Sequence, residues 1–264
     1  MAVMPAPHSA PAPTLLAIET STELASVALL HRGQLSSREA SGAQTHSMSV
    51  PAMVQALLAE AGLKVAQCDA LAYGMGPGSF TGVRTACGLA QGLAYGASLR
   101  VAPVVTLMAM AEAVRQAGAG NDVLAVLDAR MGEVYWAQYR YDGRWHCVAV
   151  PALSAASAVV PTGTPVVCGN GLSAYPEDFA QLGGLQRMPA IMPHAQAVAM
   201  LAVTMVNENT LLAPRDAQPL YLRNKVALTT AERMAAVTPA AIVAGAVASG
   251  ASTTAAVTDA GAGA

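Results

Sequence analysis

The sequence predicts an α/β protein of two lobes made by duplicating one unit. Three observations predict it. Short apolar runs of strand length alternate with helical stripes along the chain. Each half carries the same order: a strand ending in an acid, a hairpin, then a strand running into Gly-x-Gly. The length of 264 residues suits about two domains.

In the first half, Leu15–Thr20 is an apolar run ending in Glu19-Thr20 and reads as a buried strand. Leu24–Leu30 and Gln34–Ala40 flank Arg32-Gly33, a hairpin signal. Pro51 sits where a helix starts, Met53, Val54, Leu57, Leu58 and Ala61 form its stripe, and Gly62 stops it. Ala70–Tyr73 is a strand that enters Gly74-Met75-Gly76-Pro77-Gly78-Ser79-Phe80-Thr81-Gly82, and a helix follows to about Gly96. The seam between halves falls near Arg100–Thr106.

In the second half, Thr106–Gln116 reads as a helix, with Leu107, Met110, Ala111 and Val114 on one stripe. Val123–Leu127 is a strand ending in Asp128. Glu133–Tyr139 and Arg144–Val150 flank Asp142-Gly143, a strong hairpin turn. Val166–Cys168 runs into Gly169-Asn170-Gly171, and Ala195–Val206 is a further helix. Glu19 therefore corresponds to Asp128, and Gly74/Gly76 to Gly169/Gly171. The expected division is a disordered Pro/Ala leader over 1–13, a first lobe over 14–103, a second over 104–229 and a disordered Ala-rich tail over 230–264.

Composition excludes several classes. Hydrophobic residues are 54 % and charged residues 11 %, the reverse of a disordered chain. A net charge of −2 without any Lys/Arg run excludes an autonomous nucleic-acid binder. The four cysteines, Cys68, Cys87, Cys147 and Cys168, form no CxxC pair and read as buried reduced thiols of a cytosolic protein. The charge-poor stretches Ala40–Ala59, Trp145–Pro176 and Ala235–Val257 are broken by polar residues or Pro, and none reads as a membrane span.

The Gly-rich loop has two readings. Glycines followed by a helix start can cradle a phosphate, although no Lys-Ser/Thr completes a Walker loop. Equally, it is a tight strand-to-helix turn with Ser79 or Thr81 as N-cap. Glu19 and Asp128 either position Mg²⁺ or a substrate hydroxyl, or serve as turn carboxylates. Gly88, Gly92 and Gly96 recur every four residues, which lets something approach one helix face closely: the sheet beneath or a helix of another chain. No two of the five histidines stand four apart, so no helical metal pair exists. His46 reads as a capping or interface residue. Ser79 has no identifiable base, which argues against a serine hydrolase.

Four segments then occur in order: A-I-E-T-S-T (Ala17–Thr22), G-M-G-P-G-S-F-T-G-V-R (Gly74–Arg84), L-D-A-R-M-G-E-V-Y-W-A (Leu127–Ala137) and Y-L-R-N-K-V-A (Tyr221–Ala227). Together they resemble the bacterial TsaB (YeaZ) family of tRNA threonylcarbamoyladenosine biosynthesis proteins, over about Leu15 to Ala227. The resemblance implies the duplicated actin/Hsp70-like (ASKHA, ribonuclease H-like) fold. It implies a cytoplasmic, non-catalytic subunit that pairs with and activates the transferase subunit TsaD, with the ATPase TsaE completing the assembly. ATP and Mg²⁺ would be used by that complex and no cofactor by this chain. tRNA would be met only through the complex, and a homodimer is open to the chain when alone.

The family's contact with TsaD uses two helices, here about His46–Ala61 and Thr81–Ala97. That makes His46, Met53, Leu57, Arg84, Gly88 and Gly92 the expected interface residues. Glu19, Gly76, Gly78, Ser79 and Asp128 are the expected vestigial nucleotide-binding set. The metal-binding His-x-x-x-His of the catalytic relative falls near Thr106 and Met110, and neither side chain replaces an imidazole. The competing reading is an autonomous ATP-dependent phosphotransferase or glycoprotease-like enzyme of the same fold.

Overall fold

A computed structural model describes residues 12–41 and 46–223. The expected tail over 230–264 and nearly all of the leader lie outside the described residues.

The first sheet holds β1 (Leu15–Glu19), β2 (Ala25–His31), β3 (Gln34–Ala40), β4 (Ala70–Gly76) and β5 (Arg100–Val105), in the order β3-β2-β1-β4-β5. β1, β2 and β3 form an antiparallel meander, while β4 runs parallel to β1 and β5 parallel to β4. The second sheet holds β6 (Asp122–Asp128), β7 (Glu133–Tyr141), β8 (Trp145–Ala155), β9 (Val166–Cys168) and β10 (Arg187–Met188), in the order β8-β7-β6-β9-β10. Here too the first three strands are an antiparallel meander and the last two are parallel additions. The two sheets thus repeat one topology, as the repeat of acids and Gly-x-Gly pairs predicts.

Among the described residues, five α-helices accompany them: α1 (His46–Glu60), α2 (Phe80–Ala97), α3 (Thr106–Gln116), the single turn α4 (Gly171–Ala174) and α5 (Ala195–Asn207). β1 is buried on both faces, as befits a central strand that is apolar at four of its five positions. Leu16 and Ile18 face α1 and α2, packing with Val50, Val54, Leu57, Ala86 and Ala90. Leu15 and Ala17 face the other way, onto Ala195, Val198, Ala199 and Ala202 of α5. In the second lobe Leu107, Met110 and Val114 of α3 cover Val123, Ala125 and Leu127 of β6. The opposite face of that sheet is covered by Leu172, Val159 and Phe179.

Two features depart from the expected division. The stretch Arg100–Thr106 is not a bare seam: Arg100–Val105 is a full edge strand, so the first sheet extends past residue 103. Its charged start and internal Pro103 obscured the apolar alternation. And α5, expected within the second lobe, packs on the first sheet, because its Ala/Val face fits the small side chains of β1 and β4. After α5 the chain crosses the edge of β5, where Leu212 and Val101 exchange both backbone hydrogen bonds at 2.9 Å. It then reaches α2 and the end of β4: Gln91 Nε2 donates to the Pro214 carbonyl (2.8 Å), and Leu220 N–H to that of Met75 (2.7 Å). Among the described residues, no helix is long and apolar enough to cross a membrane.

Candidate functional site

The site lies where β1 and β4 end. β4 leaves the sheet through Gly76, whose φ of +103° is a conformation L side chains rarely adopt. α2 then starts under Ser79, whose Oγ accepts from Gly82 N–H at 3.4 Å. Of the two expected N-caps, Ser79 is the one used.

What comes close to the glycines is the chain itself. A Cβ at Gly74 would stand 2.6 Å from the Glu19 carboxyl carbon, so the missing side chain is the space that Glu19 occupies. A Cβ at Gly78 would stand 2.6 Å from that of Ser21, and one at Gly82 would strike the Thr20 carbonyl. Thr20 Oγ1 donates to the Gly82 carbonyl (2.7 Å), and Ser79 N–H donates to the Ser21 carbonyl (2.7 Å). The N–H of Gly76 is taken by Thr106 Oγ1 at 3.1 Å. The cradle's donors at Gly76, Ser79 and Gly82 are therefore spent within the chain. Gly76, Gly78 and Ser79 are brought together as predicted, around the segment after β1 rather than around an open anion space.

Glu19 is fully buried. Its Oε1 accepts from Ser21 N–H at 2.6 Å, and its Oε2 from the Thr106 hydroxyl at 3.4 Å. Burial pushes its carboxyl above the usual carboxylate range, against the pull of hydrogen bonds from Ser21, Thr106 and Thr20. Next to it, Ser21 Oγ is buried without a hydrogen-bond partner.

The second repeat copies this turn. Asp128 Oδ1 accepts from Arg130 N–H at 2.7 Å, two residues on, as Glu19 does from Ser21. Tyr175 O–H donates to the same oxygen (2.8 Å), and Asp128 N–H donates to Asn170 Oδ1 (2.9 Å), inside Gly169-Asn170-Gly171. Gly169, at φ +109°, passes against the Val126 carbonyl, with Met110 Cε 2.6 Å from where its Cβ would be. Arg130 ties the repeats, reaching Asp128 Oδ2 at 3.1 Å and Glu23 Oε1 at 2.9 Å. Both acids thus close turns within the chain. Thr106 and Met110, near which the resemblance puts the catalytic relative's metal histidines, are buried. Among the described residues, no three His, Cys, Asp or Glu side chains gather in a metal-binding group. Thr106, Ser21, Asn170 and Tyr175 were absent from the sequence-based set, since hydroxyls and amides in short loops carry no spacing signal.

The two candidate interface helices lie side by side on the first sheet. Met53 and Leu57 do not reach the surface: both are buried in the first core, because the stripe they share with Val54 and Leu58 is the one α1 turns to the sheet. The exposed residues of α1 are instead Ser47, Met48, Ala52, Gln55, Ala59 and Glu60. His46 is half-buried, with Nε2 3.3 Å from the Glu23 carbonyl. On α2, Ala86, Ala90 and Ala94 face the sheet, and Gly88, Gly92 and Gly96 face outward with nothing within 4 Å of an added Cβ. Met48 is 70 % exposed and Tyr95 81 %. Glu60 and Arg84 are the only Asp, Glu, Lys or Arg in the two helices.

Two sheets of one topology, each with an acid-ended first strand and a Gly-x-Gly at the end of its fourth, define a duplicated α/β protein of the actin/Hsp70-like (ASKHA, ribonuclease H-like) fold. The chain belongs to the TsaB family. It is 40 % identical over 221 residues to the tRNA threonylcarbamoyladenosine biosynthesis protein TsaB of Escherichia coli (strain K12), covering 81 % of this chain and 96 % of the relative. Identity to the protein of the same name from Haemophilus influenzae is 37 % over 225 residues, 81 % of this chain and 94 % of the relative. Residues 38–181 match the family described as "TsaD: tRNA N6-adenosine threonylcarbamoyltransferase". The solved structure "YeaZ from Pseudomonas aeruginosa" superposes with a TM-score of 0.73 at 33 % identity, covering 80 % of this chain and 100 % of that one.

Proposed function

We propose that this chain is a non-catalytic, cytoplasmic subunit of the machinery that places N6-threonylcarbamoyladenosine at position 37 of tRNA, pairing with and activating a TsaD-type transferase subunit. A TsaE-type ATPase completes the assembly, ATP and Mg²⁺ serve the complex rather than this chain, and tRNA is met through the complex. Kinship with proteins named for this pathway supports the pathway. The observation that carries the non-catalytic role is that the site's acid and the turn's N–H donors are spent within the chain. Glu19, Thr106 and the N–H groups of Gly76 and Ser79 are all engaged within the chain, and Met110 is packed in the second core. A catalytic cleft keeps such groups for substrate.

The pairing role is supported by the α1–α2 face. It is exposed, almost uncharged, lined by glycine and alanine, and studded with Met48 and Tyr95. Depletion of charge around a few large anchors is the composition of an interface core, and glycines let an opposing helix come close.

The test is reconstitution. The purified chain alone is expected to transfer no threonylcarbamoyl group to tRNA and to turn over no ATP, and adding it to the transferase subunit is expected to raise transfer. Transfer or ATP turnover by the chain alone, at rates like those of the full assembly, would establish the autonomous enzyme instead.

A further inference from the structure

At the N-terminal end of the exposed α2 stripe stands a cation held in a fixed pose. Arg84 lies flat over Phe80, with Cζ 3.5 Å from the ring centroid. Its Nε donates to the Tyr221 hydroxyl at 2.7 Å, and Tyr221 and Phe80 are 5.9 Å apart between centroids. Phe80 is 43 % exposed and Tyr221 44 %, so the cluster is open to solvent. The strand of chain after α5 delivers Tyr221, anchored by Leu220 on Met75 and by Gln218 on the Tyr73 hydroxyl. With Nε taken, the guanidinium keeps its two terminal nitrogens for another acceptor. Among the described residues, no carboxylate pairs with it.

Arg84 shares its stripe with Gly88 and Gly92, one and two turns further along. A partner that covers those glycines also takes the guanidinium out of water. Such a charge is tolerated only when an anion comes with the partner. A planar guanidinium whose orientation is already fixed suits a carboxylate, which it grips with two parallel N–H bonds.

We propose that Arg84, oriented by Phe80 and Tyr221, receives an Asp or Glu side chain of the transferase subunit, and that this ion pair sets which partner the helix face accepts. This rests on the pairing reading above. A second copy of this chain offers little in return: Glu60 is the only carboxylate in its α1 and α2, and it is held by Arg38. Self-pairing would bury Arg84 unmatched, so the same residue that favours the transferase disfavours the homodimer.

The test is calorimetric titration of the full chain with its own organism's TsaD-type subunit, at low and high salt. The variants are Arg84→Gln, Arg84→Lys and Tyr221→Phe. Arg84→Gln is expected to weaken pairing about tenfold or more and to flatten its salt dependence. Arg84→Lys keeps the charge but not the fork and should fall between. Tyr221→Phe, which frees the guanidinium to rotate, should cost less than Arg84→Gln. Melting curves check folding, and if Arg84→Gln does not fold, Tyr221→Phe and the wild-type salt dependence decide. Pairing unchanged by Arg84→Gln, or weakened with an unchanged salt slope, overturns the proposal. A wild-type chain that does not pair at all overturns the pairing reading itself. Self-association that weakens on Arg84→Gln would move the anion to a second copy and refute the assignment.

Discussion

Gly74→Ala isolates the site's central contact. A Cβ there falls inside the Glu19 carboxylate, 2.6 Å from its carbon. Glu19 has nowhere to go: it is fully buried, and its oxygens hold Ser21 N–H and the Thr106 hydroxyl. Moving it gives up a bond to an ionisable group, about 1.5–3 kcal/mol, and overpacks the end of β4, about 1–3 kcal/mol more. The expected loss is about 2.5–6 kcal/mol, a drop in Tm of roughly 5–24 °C for a chain of this size. Urea and thermal unfolding followed by circular dichroism give the number. The decisive form is a double-mutant cycle with Glu19→Ala, which vacates the space that the new methyl needs. In that background Gly74→Ala should cost little, so the coupling should approach the full single-mutant loss and exceed about 2 kcal/mol. Equal costs in both backgrounds would show that Gly74 is required for some reason other than making room for Glu19.

Other outcomes follow from the same geometry. Gly88→Ala and Gly92→Ala meet nothing within 4 Å, so each should stabilise the isolated chain by up to about 1 kcal/mol, while Gly92→Leu should keep native-like melting yet weaken pairing with the transferase subunit. Glu19, raised by burial, makes the fold lose stability as pH climbs from the ordinary carboxylate range through its elevated pKa; Glu19→Gln should gain on the wild type in that direction, and a variant that instead falls behind at neutral pH would contradict this. His194 caps α5 through Nδ1, which accepts from Gln196 N–H at 3.2 Å, and burial lowers its pKa against the opposing pull of Glu39. Stability should therefore fall as pH drops from the ordinary histidine range through the depressed value, and His194→Asn should flatten that limb in pH-dependent melts. The isolated chain, at net charge −2, should bind tRNA weakly; submicromolar binding at physiological salt with a steep salt slope would refute that.

Much of the architecture was legible because the repeat is written in residues that strand ends need. Glu19 and Asp128 each close an i to i+2 turn after a buried strand, and both Gly-x-Gly turns pass against the strand beside them. The hairpin turns announced themselves through Arg32-Gly33 and Asp142-Gly143, where Gly33 and Gly143 take positive φ. β5 was hidden because it opens with Arg100, which is held by Asn209 and the Leu211 carbonyl in the segment after α5, partners far away in sequence. The placement of α5 was hidden for a related reason: an Ala/Val stripe states that a helix is buried but not beneath which sheet. Met53 and Leu57 show the converse error. Periodicity marks the face a helix buries in its own lobe, so the residues that make a stripe visible are those least available to a partner.

The Gly-rich turn marks where sequence reasoning stops in principle. Glycine at 74, 78 and 82 records that something must lie closer than a Cβ allows, and a phosphate and a backbone carbonyl make the same demand. Both are oxygen acceptors, both take N–H groups at a helix start, and both exclude side chains. Only the path of the chain after β1 decides between them. Here Thr20 and Ser21 turn inward and fill the space, with Thr20 Oγ1 on the Gly82 carbonyl and the Ser21 carbonyl on Ser79 N–H. One arrangement of glycines thus serves an anion cradle or a self-filled turn. The distinction lies in whether the acid at the end of β1 faces a ligand or, as Glu19 does, the glycine-shaped gap in its neighbouring strand.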